Sequence, residues 1–151
     1  MRKLDRYANK SQLMDIRIKL GEELFKFNLF EELVVNENII NDELKAQPTI
    51  SGFLGSLHTK LDRIKEDKEA EMDKVYHELF VKYKRQKNDL GRPNSDDMTK
   101  SLAISHKKYQ KAACEYRTAK ENATLIKVSL QAFEQRSYLI QTLSANLRKN
   151  N

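Results

Sequence analysis

Five basic residues, Lys82, Lys84, Arg85, Lys87 and Arg92, fall within one eleven-residue stretch, opposed there only by Asp89. Lys100, Lys107, Lys108 and Lys111 follow soon after, and Phe80, Tyr83 and Tyr109 are interleaved among the cations. A dense row of cations neutralises phosphates and releases their counterions, and flat rings stack on unpaired bases. Two readings stand for each set. The rings either stack on bases or pack in a helical core. The cations either contact a polyanion or keep a helix face in water.

Other chemistry finds little support in the residue pattern. Gly52 and Gly55 stand three apart without the lysine and serine of a phosphate-binding loop. His58, His77 and His106 are scattered singly, with no cysteine–histidine spacing for a metal. The acids Asp62, Glu66, Asp67, Glu69, Glu71 and Asp73 alternate with Lys60, Arg63, Lys65, Lys68 and Lys74, which is ordinary pairing along a helix surface. The lone Cys114 beside Ala112 and Ala113 reads as a small core residue in a reducing compartment. The expectation is a non-enzyme without cofactor or metal.

The elements that must position the cations are two long helices. From Thr99 to Leu147 there is neither proline nor glycine. Apolar or small residues recur at Met98, Leu102, Ser105, Tyr109, Ala112, Tyr116, Ala119, Ala123, Ile126, Leu130, Phe133, Ser137, Ile140 and Ser144, in steps of 4 and 3. A repeat of about 3.5 residues keeps one seam of a long helix on a partner. Upstream, Leu57, Leu61, Ile64, Lys68, Met72, Val75 and Leu79 repeat the same steps. Lys68 interrupts that seam, where its stem can lie on apolar surface while its charge stays wet. Between the runs, Gly91 and Pro93 end one helix and Asn94 or Ser95 caps the next, with Asp96 and Asp97 in its first turn. So short a connection makes the helices antiparallel neighbours.

The predicted class is therefore all-α: a long antiparallel helical hairpin over residues 49–151, turning at 90–95, with an N-terminal helical element over 1–48. Within that element Ser11 caps a helix from Gln12 to about Val35. Its Leu13, Met14, Ile16, Ile18, Leu20, Leu24, Phe25, Phe27, Leu29, Phe30, Leu33 and Val34 are too many for one stripe. Gly21 inside it costs about 1 kcal/mol relative to alanine. Asp42–Lys45 forms a short turn ended by Pro48, and Thr49 caps the first long helix.

The chain has 151 residues and a net charge of +6. The excess lies late: residues 96–151 hold 10 basic against 5 acidic side chains, while residues 1–50 hold 8 against 9. So thin a core predicts self-association to complete its burial. No signal-peptide pattern opens the sequence and no run approaches the roughly 18 apolar residues of a membrane span. The expected location is the cytoplasm, away from the membrane.

One resemblance adds to this. Asp42-Glu43-Leu44-Lys45-Ala46-Gln47-Pro48, then a helix ending in residues 78–88 (ELFVKYKRQKN), then a turn, then Leu130-x-Ala132-Phe133-x-x-Arg136-x-x-x-Ile140 in a long helix, resembles phage recombination mediators of the UvsY type. It covers roughly residues 42–147. The resemblance implies a non-enzymatic helical protein, working in the host cytoplasm if phage-encoded. It implies homo-oligomeric rings that bind single-stranded DNA, remodel single-strand-binding protein and load a RecA-like recombinase. It places the family's basic pair on Lys82 and Lys84, with Arg85 adjacent. The expected nucleic-acid-binding set is Lys82, Lys84, Arg85, Lys87, Arg92, Lys107 and Lys108. The family's paired tyrosines before the turn glycine have no clear match, although Gly91 does. Arg136 either binds a phosphate or pairs with an acid of a facing helix or subunit. The competing expectation is a coiled-coil adaptor or assembly chaperone with no nucleic-acid role.

Overall fold

The computed structural model describes residues 15–36, 39–87 and 91–149, and of Phe30 the backbone alone. The described chain is mostly helical. Its elements are β1 (Asp15–Leu20), β2 (Glu23–Asn28), α1 (Leu29–Leu33), α2 (Ile40–Arg85), α3 (Asp96–Ser105) and α4 (Lys107–Lys149). The two long helices α2 and α4 pack against each other. The chain divides into two compact units: residues up to His58 with those from Thr124 onward, and Thr59–Ala123.

The N-terminal helix expected from Gln12 to Val35 is corrected. Its described part is an antiparallel β-hairpin followed by the single short helix α1. Ser11, Leu13 and Met14 lie outside the described residues. Leu20 pairs with Glu23, leaving the two-residue loop Gly21-Glu22. Gly21 has φ +61°, and no other residue of that loop has positive φ. Glycine at the first loop position is what a type II′ turn requires, and this turn matches the twist of the strands it joins. The apolar excess is thereby explained. Ile16 pairs with Phe27 and Ile18 with Phe25, so the four side chains share one face. Ile16 and Ile18 are fully buried, and the Phe25 ring packs on Phe53 of α2 at 5.9 Å between centroids. A two-stranded sheet is marginal alone, so this burial is what holds it.

Helix α2 begins at Ile40, and Pro48 lies inside it instead of ending a preceding turn. Proline removes one backbone donor and costs about 3 kcal/mol or more within a helix. Here the helix is anchored on both sides of the proline by buried Ile40, Gln47, Leu54 and Leu57. The junction expected between residues 48 and 49 thus falls within a continuous helix.

Helix α4 follows the expected seam closely. Ala112, Ala119, Ala123, Ile126, Phe133, Ile140 and Ser144 are buried, as are Ser129 and Arg136 beside it. In the Thr59–Ala123 unit the buried seam residues of α4 are alanines, alongside half-buried Tyr109 and Tyr116, and buried Leu61 and Leu79 come from α2. Large residues from one helix against small ones of another let layers interdigitate. The run expected to be one helix from Thr99 is instead two. His106 adopts an extended backbone (φ −71°, ψ 136°) between α3 and α4. Its Nδ1 accepts a hydrogen bond from the Lys108 backbone at 3.1 Å, and Gln110 Nε2 donates to the Ile104 carbonyl at 2.6 Å. The break resets the helical phase. Thr99 and Ala103 are fully buried in α3, whereas the expected seam residue Met98 is exposed. Cys114 is likewise exposed, not in the core.

Candidate nucleic-acid interface

The cations sit around the turn in the Thr59–Ala123 unit. Local chemistry fixes that turn. Ser95 is the N-cap of α3, its hydroxyl accepting from the Met98 backbone at 3.3 Å, with Asp96 and Asp97 in the first turn. Thr99 Oγ1 donates back to the Ser95 carbonyl at 2.8 Å. Asn94 is buried and its Nδ2 donates to the Tyr83 carbonyl at 2.9 Å, satisfying one of the orphan acceptors at the end of α2. Gly91 takes the left-handed conformation, φ +72°, and Lys87 forms a single bridge to Pro93.

Lys84 belongs to this framework. Its Nζ donates to the Asn94 carbonyl at 2.9 Å and to Asp96 Oδ1 at 2.5 Å. The ammonium hydrogen bond and its charge hold the Asp96 carboxyl below its ordinary range. Lys84 therefore straps α2 to the start of α3, with its charge already compensated.

The other expected residues differ. Lys82 and Arg85 are exposed at the end of α2 and Lys87 just beyond it, Arg92 is exposed in the turn, and Lys107 and Lys108 are exposed at the start of α4. Lys82, Arg85, Lys87, Lys107 and Lys108 enter no ion pair among the described residues. The Tyr83 ring lies 6.1 Å from the His106 imidazole, bringing the end of α2 beside the residue that precedes Lys107 and Lys108. Lys82 Nζ stands over the Tyr83 ring at 5.6 Å, a cation–π contact at a wet surface. Lys100 lies 3.9 Å from Asp97, and Lys111 4.0 Å from Glu115.

The aromatics are half-buried and interlocked. Tyr76 contacts Phe80 at 6.1 Å and Tyr109 at 6.0 Å. Tyr76 is the hub of this cluster, a position the pattern of cations and rings near the turn does not single out. Further along the same unit, Lys68 Nζ bridges Glu71 and Glu115, each at 2.7 Å, and Tyr116 donates to Glu69 at 3.0 Å. The Lys68 hydrogen bond holds the Glu115 carboxyl below its usual range, and the two carboxylates hold the Lys68 ammonium well above its own.

Arg136 lies in the other unit. Its Nη2 donates to Glu43 at 2.5 Å and to the Val34 carbonyl at 3.0 Å, and the side chain is 5% exposed. Of the two openings for Arg136, pairing with an acid of a facing helix is the one realised. The Phe133, Arg136 and Ile140 positions that carry the resemblance are all buried, and so serve packing. Among the described residues no helix is long and apolar enough to cross a membrane, and no three His, Cys, Asp or Glu side chains gather as a metal would need. Compared with known protein families, curated proteins and solved structures, the chain matches none.

Proposed function

We propose that this protein is a non-enzymatic, single-stranded-DNA-binding recombination mediator. It would help load a RecA-like recombinase onto DNA coated by single-strand-binding protein, acting as a homo-oligomer, in a ring, of long antiparallel helical hairpins. The observation that carries the nucleic-acid part is the group of exposed cations Lys82, Arg85, Lys87, Lys107 and Lys108 around one turn, none of them in an ion pair among the described residues. Cations without carboxylate partners keep a field that attracts phosphates and counterions. The mediator role and its protein partners draw on the resemblance over residues 42–147.

The test separates Lys84 from its neighbours. The variant Lys82→Ala, Arg85→Ala, Lys87→Ala should fold and melt as the parent does, since none of the three side chains holds the turn and the Lys87 bridge to Pro93 is made by the backbone. Its binding to labelled oligo-dT, followed by fluorescence anisotropy across a salt series, should weaken. The slope of log affinity against log salt should fall by about 0.7 for each phosphate that is no longer neutralised. Lys84→Ala should show the reverse: a lower melting temperature and a nearly unchanged slope. Light scattering on the same samples should give a mass above that of one chain. A parent protein that ignores oligonucleotides yet assembles would favour the adaptor.

A further inference from the structure

The sheet register gathers a second set of cations in the other unit. Arg17 pairs directly with Lys26, and Lys19 pairs with Leu24, so it is the diagonal neighbour of Lys26. Residues opposite each other, and those two apart on a strand, share a face. The outward face of the hairpin thus carries Asp15, Arg17 and Lys19 from β1 and Leu24, Lys26 and Asn28 from β2. Arg17, Lys19 and Lys26 are all exposed and enter no ion pair among the described residues. The one acid on the face, Asp15, stands at its far end and accepts from Asn28 Nδ2 at 2.7 Å. Glu22 lies in the loop, and Glu23 projects to the opposite face.

Like charges set directly across a strand pair destabilise it, and an opposite pair there would stabilise it instead. Charge alone, as protection of a sheet edge, would be served equally well by an arginine facing a glutamate. Beside Arg17 and Lys26 the face has only a shallow hollow, open to solvent and also lined by Asp15 and Asn28. Such a surface suits a line of charge better than a single enclosed anion. Leu24 is its one apolar residue and the loop is acidic at Glu22, which disfavours insertion into an anionic membrane.

We infer that the outward face of the β1–β2 hairpin is a separate binding surface for the phosphate backbone of a nucleic-acid strand, made by Arg17, Lys19 and Lys26. This deepens, and rests on, the nucleic-acid reading proposed above. The experiment compares the full-length chain with Arg17→Gln, Lys19→Gln, Lys26→Gln, again with labelled oligo-dT across a salt series. The salt slope of the triple variant should be smaller by up to about 2, from about 0.7 per neutralised phosphate. It should melt no lower than the parent, because a like-charge pair has been removed. Arg17→Lys should retain the parent slope. Should the triple variant not fold, Lys19→Gln alone should still lower the slope by about 0.7. Photocrosslinking to a bromodeoxyuridine oligonucleotide should label a peptide within residues 15–28.

An unchanged slope in the hairpin variant, with a lowered slope in the Lys82, Arg85, Lys87 variant, overturns this inference and leaves the turn interface standing. A parent that binds no oligonucleotide overturns both. Vesicles of equal parts phosphatidylcholine and phosphatidylserine complete the comparison. Loss of vesicle binding in the hairpin variant without any loss of oligonucleotide binding assigns the face to lipid and also overturns the inference.

Discussion

Lys82 and Lys84 are two residues apart on one helix, yet one faces water over a tyrosine ring and the other is consumed by the turn. That difference is set by what stands across the loop, Asn94 and Asp96, which lie ten and twelve positions away. Counting cations along the sequence finds the cluster but not which member is already neutralised. Arg136 carries a sharper consequence. Its guanidinium is buried, held by Glu43 and the Val34 carbonyl, while its Nε and Nη1 have no hydrogen-bond partner among the described residues. Taking away one partner of a buried ion pair strands the other charge and typically costs about 3–5 kcal/mol, whereas an apolar replacement of both is often nearly neutral. Glu43→Ala should therefore lower unfolding free energy by about that amount, and Glu43→Leu with Arg136→Met should lower it by less. Denaturant titration of the three chains checks this. A double variant worse than Glu43→Ala would mean that the pair itself, more than its desolvation, holds the site.

At the scale of elements, the β-hairpin and α2 contain glycines with opposite expected behaviour. Gly21 has φ +61° and open space where a Cβ would go, so an alanine there meets backbone strain without any clash. That strain is about 1–2 kcal/mol for a residue with a Cβ, and asparagine tolerates the conformation better. Gly52 lies within α2 with equally open space, and there alanine gains helix propensity of about 1 kcal/mol. Gly21→Ala should destabilise the protein, Gly21→Asn should do so less, and Gly52→Ala should stabilise it, all read from denaturation midpoints. The sign at Gly21 tests the element itself, since in a helix the same change would stabilise. The helix reading of that stretch has a physical origin. Ile16, Leu20, Leu24 and Phe27 keep helical spacing as well as Ile16, Ile18, Phe25 and Phe27 keep strand alternation. Local periodicity is ambiguous there, and the turn chemistry of Leu20-Gly21-Glu22 decides. The seam of α4 was legible from Ala112 to Ser144 because no competing period exists over so long a run. The interruption at His106 was not, since it carries neither proline nor glycine and depends on hydrogen bonds from Lys108 and Gln110.

The molecule as a whole carries +6, and protonating its carboxylates at low pH raises that charge further. Two carboxylates respond in a defined direction. Asp96 is held down chiefly by the Lys84 hydrogen bond and Glu115 chiefly by the Lys68 hydrogen bond. Each pair joins residues far apart in sequence, Lys84 to Asp96 across the turn and Lys68 to Glu115 between α2 and α4. A carboxylate whose folded pKa lies below its unfolded value, about 4, binds fewer protons in the native state. Its stabilisation is complete above the unfolded pKa and is lost as pH falls through the folded one. The cationic partner reverses the sign: Lys68, raised well above its ordinary range, loses its contribution only in strong alkali. Between neutrality and pH 9, then, neither pair should change stability. Below about pH 4 both contributions should fade, and the melting temperature should fall by the modest amount that two surface pairs supply. In Asp96→Asn with Glu115→Gln these two titrations are absent. That variant should melt below the parent at pH 7 and approach it as the pH falls toward 3. Melting curves recorded by circular dichroism at intervals from pH 3 to 9, at fixed ionic strength, measure both profiles. Parallel profiles over the acid range would show that general charge repulsion, and not these two pairs, governs acid unfolding.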